Sequence, residues 1–136
     1  MTTDHTIVLT GAAKPGLGEA LTRGLVADGS TVIGSFEESD RELAEQLISE
    51  LPEAQLQLSP VDHSSRASLK AFADSIEGPI ASLVNGQFLF EMENPDSYDH
   101  DLWDRLIAIN LTAPNFLIHS LKSKISDGGS IVTLTS

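Results

Sequence analysis

A doubly wound α/β domain with a parallel central sheet is the fold class this sequence predicts. Three observations carry it. Short apolar runs alternate with stretches of helical periodicity along the 136 residues. The connections between them are brief. A glycine-rich turn joins the first apolar run to the first helical stretch. Alternating strands and helices imply a parallel sheet covered by helices on both faces. Right-handed crossovers, with a turn of this kind after the first strand, predict the strand order 3-2-1-4-5.

Each element has its own signal. Ile7-Val8-Leu9, inside the stretch His5 to Thr10, is a short apolar run ending at Gly11, as a strand buried on both faces requires. Leu17, Ala20, Leu21, Leu25 and Val26 recur at helical spacing up to Asp28, and Gly29 is the expected stop. Thr31 to Phe36 is the second strand. Arg41 to Leu51 places Leu43, Leu47, Ile48 and Leu51 on one helical face, and Pro52 ends it. Gln55 to Val61 is the third strand. Ser64 or Ser65 caps a helix running through Leu69, Phe72, Ala73 and Ile76, which Gly78-Pro79 breaks. Ile80 to Asn85 is the fourth strand. After a polar loop, Glu91 to Asp99, one long helix is expected from about His100 to Lys124. Its apolar face is Leu102, Leu106, Ile109, Ala113, Leu117 and Leu121, with Trp103 and Phe116 as packing residues. Gly128-Gly129 leads into the fifth strand. No linker is visible, so residues 1–136 are expected to form a single domain.

Bulk properties exclude several function classes. The net charge of −12 argues against nucleic acid and against an anionic membrane surface, since both need basic residues. No apolar run is long enough to cross a bilayer, and Met1 to His5 does not open a secretory signal. With no cysteine in the sequence, disulfides and thiolate metal sites are excluded. His5, His63, His100 and His119 have no metal-ligand spacing. A cytoplasmic protein is expected.

The glycine turn, Thr10-Gly11-Ala12-Ala13-Lys14-Pro15-Gly16-Leu17-Gly18, carries the chemistry. Gly11, Gly16 and Gly18 stand where the chain leaves a strand and enters a helix. A phosphate must approach the backbone there, and a Cβ would block it. The helix starting near Leu17 directs free N–H groups toward that point, so an anion can bind without a cluster of side-chain cations. The same residues are compatible with an ordinary strand-to-helix turn.

This order of residues resembles the short-chain dehydrogenase/reductase family, whose turn reads Thr-Gly-x-x-x-Gly-x-Gly. Here the loop is one residue longer. The resemblance continues along the chain and implies a Rossmann-like dinucleotide-binding domain. Asp62 falls on the aspartate that contacts adenine in the family; a capping role is the bland alternative. Leu83-Val84-Asn85-Gly86 matches the start of the Asn-Asn-Ala-Gly segment, but Gly86-Gln87-Phe88 replaces its remainder and puts bulk beside the expected ribose. Asn85 and Gly86 are carried over as cofactor-binding positions. Trp103 to Thr112 resembles the long-helix segment, with Asn110 on the active-site asparagine; a mid-helix Asn bonded to backbone is the alternative. Gly129 to Ser136 resembles the strand bearing the catalytic serine, and Ser136 falls on it.

The resemblance also implies a Tyr-x-x-x-Lys pair beyond the serine, where tyrosine exchanges the substrate proton and lysine assists. The sequence has one tyrosine, Tyr98, and Leu102 rather than lysine follows it at the motif's spacing. The expectation is therefore a fragment of an NAD(P)-dependent oxidoreductase acting on a small carbonyl or alcohol, without turnover by itself. The alternative is a non-catalytic nucleotide-binding or interaction protein on the same scaffold. For the cofactor, Phe36 occupies the place of the family's ribose-binding acid and Glu37 and Glu38 follow, while Lys14 in the turn could attract a 2′-phosphate. NAD and NADP both stay open, with a lean to NAD. The open edge of the fifth strand leads us to expect a homo-oligomer.

Overall fold

The computed structural model describes residues 5–135. They form one five-stranded parallel sheet in the order β3-β2-β1-β4-β5. The strands are β1 (Thr6–Thr10), β2 (Thr31–Phe36), β3 (Leu56–Pro60), β4 (Ile80–Asn85) and β5 (Ile125–Thr133). The helices are α1 (Leu17–Ala27), α2 (Arg41–Glu50), α3 (Arg66–Asp74), α4 (His100–Ile107) and α5 (Ala113–Leu121). The expected fold class and strand order are therefore present.

The alternation of side chains along β1 divides the core. Leu9 joins Val26 of α1 and Ala44 and Leu47 of α2 on one face. Val8 joins Leu69, Phe72 and Ala73 of α3 and Ala113, Leu117 and Leu121 of α5 on the other. β1 is central, pairing with β2 from Thr6 against Thr31 and with β4 from Ile7 against Ser82. Between β1 and β4 the strand order reverses direction, and sheets of this kind take their ligands at such a point, at the carboxyl ends of the strands.

Helix ends follow local chemistry. At the end of α1, Gly29 has φ +89°. Its N–H bonds the Val26 carbonyl while that of Ser30 bonds the Leu25 carbonyl, each at 3.0 Å, a Schellman closure. Leu51, held extended before Pro52, ends α2. Of the two candidate caps for α3, Ser65 is the one used: its hydroxyl accepts the Ser68 N–H at 3.2 Å. The helix stops at Asp74, short of the buried Ile76.

Three expectations need correction. The long helix is not continuous: α4 and α5 are joined by a π-helical turn, Ala108–Thr112, and α5 ends at Leu121 rather than Lys124. Pro114, in the first turn of α5, has no N–H to give the Asn110 carbonyl and its ring crowds that carbonyl, so the ladder widens there. The fifth strand begins before the glycine pair, not after it. Its register slips between the Ile80–Ile125 and Ser82–Ser130 pairs, and Gly128, at φ +81°, accommodates the bulge. Trp103 does not pack inward; it is 47% exposed.

Candidate functional site

The glycine turn is built from contacts that leave little freedom. Ala12 N–H bonds the Ser35 carbonyl at 2.9 Å, and Lys14 N–H bonds the Gly11 carbonyl at 3.1 Å. The buried Thr22 hydroxyl of α1 donates to the Ala12 carbonyl at 2.7 Å. A Cβ on Gly18 would lie 2.0 Å from the Gly11 carbonyl oxygen, and one on Gly11 would meet the backbone of Gln87 at 2.9 Å. Gly16 is different. It caps α1 with φ 85° and ψ −103°, yet a Cβ there would meet nothing within 4 Å. Of the three glycines of the turn, Gly16 alone faces open space, and Pro15 and Leu17 on either side of it are exposed as well. The N–H groups of Leu17 and Gly18 have no intrahelical partner by position, and Leu17 is 47% exposed.

The end of β4 is tied to the same turn. The buried Thr10 hydroxyl accepts the N–H groups of Gly86 and Gln87 at 3.0 and 3.1 Å. Asn85, 2% exposed, donates to the Thr133 hydroxyl at 3.3 Å. Its Oδ1 and the Oε1 of Gln87 are buried without a partner. A buried acceptor left unmet costs about 1–3 kcal/mol, so these two side chains are strained points at the end of β4. The Lys14 ammonium lies 4.8 Å from the centroid of the Phe88 ring and so faces the β4 side.

At the other side of β1, the ends of β2 and β3 lie together, with Phe36 opposite Pro60. Phe36 is buried against α2, and the Arg41 guanidinium covers its ring at 5.5 Å; Arg41 is also paired with Glu38. Glu37, Glu38, Pro60, Val61 and Asp62 line a cavity of about 220 Å³. Glu37 Oε2 accepts the His63 backbone N–H at 2.8 Å and approaches His63 Nδ1 at 2.5 Å. His63 is 1% exposed, and its Nε2 lies 2.7 Å from the Ser35 hydroxyl. Burial raises the pKa of Glu37, but the His63 ring and backbone hydrogen bonds outweigh it, so the carboxyl lies below its ordinary value. Asp62 is also held low, chiefly by the Ser64 hydroxyl bonded to Oδ1 at 2.6 Å. Asp40, by contrast, is raised by burial. Asp62 does not cap α3; Ser65 does.

Asn110 sits in the π-helical turn. Its amide donates to the Leu89 carbonyl and its Oδ1 accepts the Leu89 N–H, each at 2.8 Å. The side chain therefore does bond to backbone, but to the loop after β4 and not to its own helix. Ser136 lies outside the described residues. Sequence reasoning gave Ser35 and His63 no role. A signal existed: in a parallel sheet, residues just beyond paired strand ends are neighbours, and Glu37 and His63 follow Phe36 and Pro60 closely.

The glycine turn and the open space over Gly16 fit a dinucleotide, and similarity to known proteins agrees. The family model for short chain dehydrogenases matches residues 5–136. A short-chain dehydrogenase/reductase of Pyricularia oryzae is 30% identical over 94% of this chain and 50% of its own length. The asnovolin H dehydrogenase of Aspergillus novofumigatus is 30% identical over 98% of this chain and 52% of its own. The chain thus spans about half the length of the curated relatives it matches. Among solved structures, a blue fluorescent protein from a metagenomic library, in complex with NADPH, superimposes with a TM-score of 0.87. It is 27% identical, over 97% of this chain and 56% of that one. A Serratia marcescens short-chain dehydrogenase/reductase shares the fold, with a TM-score of 0.86 at 21% identity, over 97% of this chain and 55% of that one. Fold, turn and sequence similarity agree: the chain belongs to the short-chain dehydrogenase/reductase family.

Proposed function

We propose that these residues form the cofactor half of an NAD(P)-dependent oxidoreductase site that passes hydride between the nicotinamide and a small carbonyl or alcohol. The observation that carries this reading is the geometry at Gly16. Gly18 is packed against the turn itself and Gly11 against the backbone after β4, while the one glycine at the helix start faces open space. That is the place for a pyrophosphate, with the N–H groups of Leu17 and Gly18 as donors and the helix dipole favouring negative charge. Asn85, Gly86 and Gln87, at the end of β4 beside the glycine turn, border the path of the rest of the cofactor. Asp62 and Glu37 lie at the adenosine end. Once bound, the nicotinamide supplies the hydride.

The adenosine end favours NAD. Three carboxylates, Glu37, Glu38 and Asp62, line that cavity and no basic residue does; a 2′-phosphate there meets like charge. Lys14 lies toward Phe88 and Arg41 is engaged by Glu38. Asn110 and Ser136 stand as the catalytic-side positions, Asn110 through its hold on the Leu89 loop. The only tyrosine, Tyr98, is 62% exposed and meets His100 edge-on at 4.4 Å, so it supports binding without turnover for residues 1–136 alone. The test is titration with NADH and NADPH followed by fluorescence or calorimetry. Saturable binding with NADH the tighter supports the reading; a chain that binds neither at millimolar concentration contradicts it.

A further inference from the structure

The adenosine-side cavity contains an arrangement that the family resemblance did not supply. Glu37 is not a free surface carboxylate. Two donors from one residue, the His63 backbone N–H and ring Nδ1, converge on a single oxygen, Oε2. Oε1 takes part in neither bond. The ring that holds Glu37 is itself held: Nε2 lies 2.7 Å from the Ser35 hydroxyl, and both His63 and Ser35 are essentially without solvent contact. One ring nitrogen thus meets Glu37 and the other meets the Ser35 hydroxyl, which can donate or accept. Ser35 is anchored in turn, because its carbonyl accepts the Ala12 N–H of the glycine turn at 2.9 Å. A continuous set of bonds therefore runs from the phosphate turn, through β2, to the rim of the cavity.

We propose that His63 is a positioning residue for cofactor selectivity: the Ser35–His63–Glu37 chain fixes the Glu37 carboxylate at the cavity rim, with Oε1 free to accept ribose hydroxyls and its charge placed to exclude a 2′-phosphate. This rests on the NAD reading above. A glutamate has three side-chain torsions, and on an exposed rim it samples many rotamers. A charge that moves away from a 2′-phosphate excludes it poorly, and a carboxylate that must be ordered on binding reads hydroxyls poorly. Fixing one oxygen from a buried ring removes both failings. A side chain with no donor at position 63 leaves Glu37 present but unfixed, so selectivity falls although the acid remains.

The test measures dissociation constants for NADH and NADPH, with melting temperatures, in the unaltered protein and in His63→Leu, His63→Gln, Ser35→Ala and Glu37→Gln. In His63→Leu the preference for NADH over NADPH is expected to fall about tenfold, the size of a charge-assisted contact. His63→Gln, which keeps a donor for Glu37, recovers part of it. Ser35→Ala gives a smaller loss of the same sign. In the Glu37→Gln background, His63→Leu is expected to change the ratio no further, a coupling that a purely structural histidine does not produce. An unchanged ratio in folded His63→Leu overturns the proposal, as does an equal effect in the Glu37→Gln background. If His63→Leu fails to fold, an unchanged ratio in both His63→Gln and Ser35→Ala overturns it. An unaltered protein that binds neither dinucleotide, or prefers NADPH, contradicts the reading underneath and this proposal with it.

Discussion

Gly16 separates two reasons for a glycine. Gly11 and Gly18 are required by backbone atoms that already fill the space a Cβ would take. Gly16 is required by its φ of 85° alone as far as the protein is concerned. Gly16→Ala is therefore expected to cost about 1–3 kcal/mol of backbone strain, while placing a methyl group where the pyrophosphate comes down. That strain lowers the melting temperature, whereas the methyl group should separately weaken cofactor binding by the folded protein about tenfold, which calorimetry below the melting temperature measures. A lower melting temperature with unchanged affinity would place the phosphate elsewhere. The residue scale is also where the sequence was least legible. Gly11, Gly16 and Gly18 were visible because spacing alone exposes a turn. Ser35 and His63 were not, because their meaning lies in a contact between strand ends that are 28 residues apart and no one-dimensional pattern records it.

At the level of elements, the break between α4 and α5 shapes the reactive side of the site. The apolar periodicity from Leu102 to Leu121 reads as one helix, and most of its face is buried as expected. Periodicity does not report a π-helical turn here, since the four-residue spacing of Ile109, Ala113, Leu117 and Leu121 suits an α-helix and a π-helical turn alike. Pro114 was the available signal, because a proline within a helical run must disturb its ladder. The turn places Asn110 opposite Leu89, and its two 2.8 Å bonds hold the loop after β4. Asn110→Ala removes both. Its expected cost is about 1–2 kcal/mol, with faster amide exchange at Leu89. Unchanged exchange there would show that the loop is held by other contacts. The first four strands were legible almost to the residue, β2 and β4 without error, because apolar runs between glycine and proline punctuation leave few alternatives; β5 was not, because its bulge carries the glycine pair inside the strand.

For the whole molecule, the buried and paired carboxylates govern how stability responds to pH. Glu37 and Asp62 have folded pKa values below the ordinary 4.5 and 3.8. Folding therefore favours their charged forms. The stability they contribute is complete above those ordinary values and is lost as pH falls through the lower folded ones. Asp40, raised from 3.8 by burial, acts in the opposite sense and is lost as pH rises through its folded value, which partly offsets them near that range. The melting temperature should decline on acidification below about pH 4.5, and Glu37→Gln should make that decline shallower. A decline of equal slope in Glu37→Gln would mean the His63 bonds do not hold the carboxylate low.

The central claim is that a dinucleotide phosphate rests on the start of α1 over Gly16. Its most direct test is amide chemical-shift perturbation on titration with NADH. The account predicts the largest shifts at Gly16, Leu17 and Gly18, with a second set at Glu37 and Asp62. Saturable binding that leaves the α1 amides unmoved would contradict it.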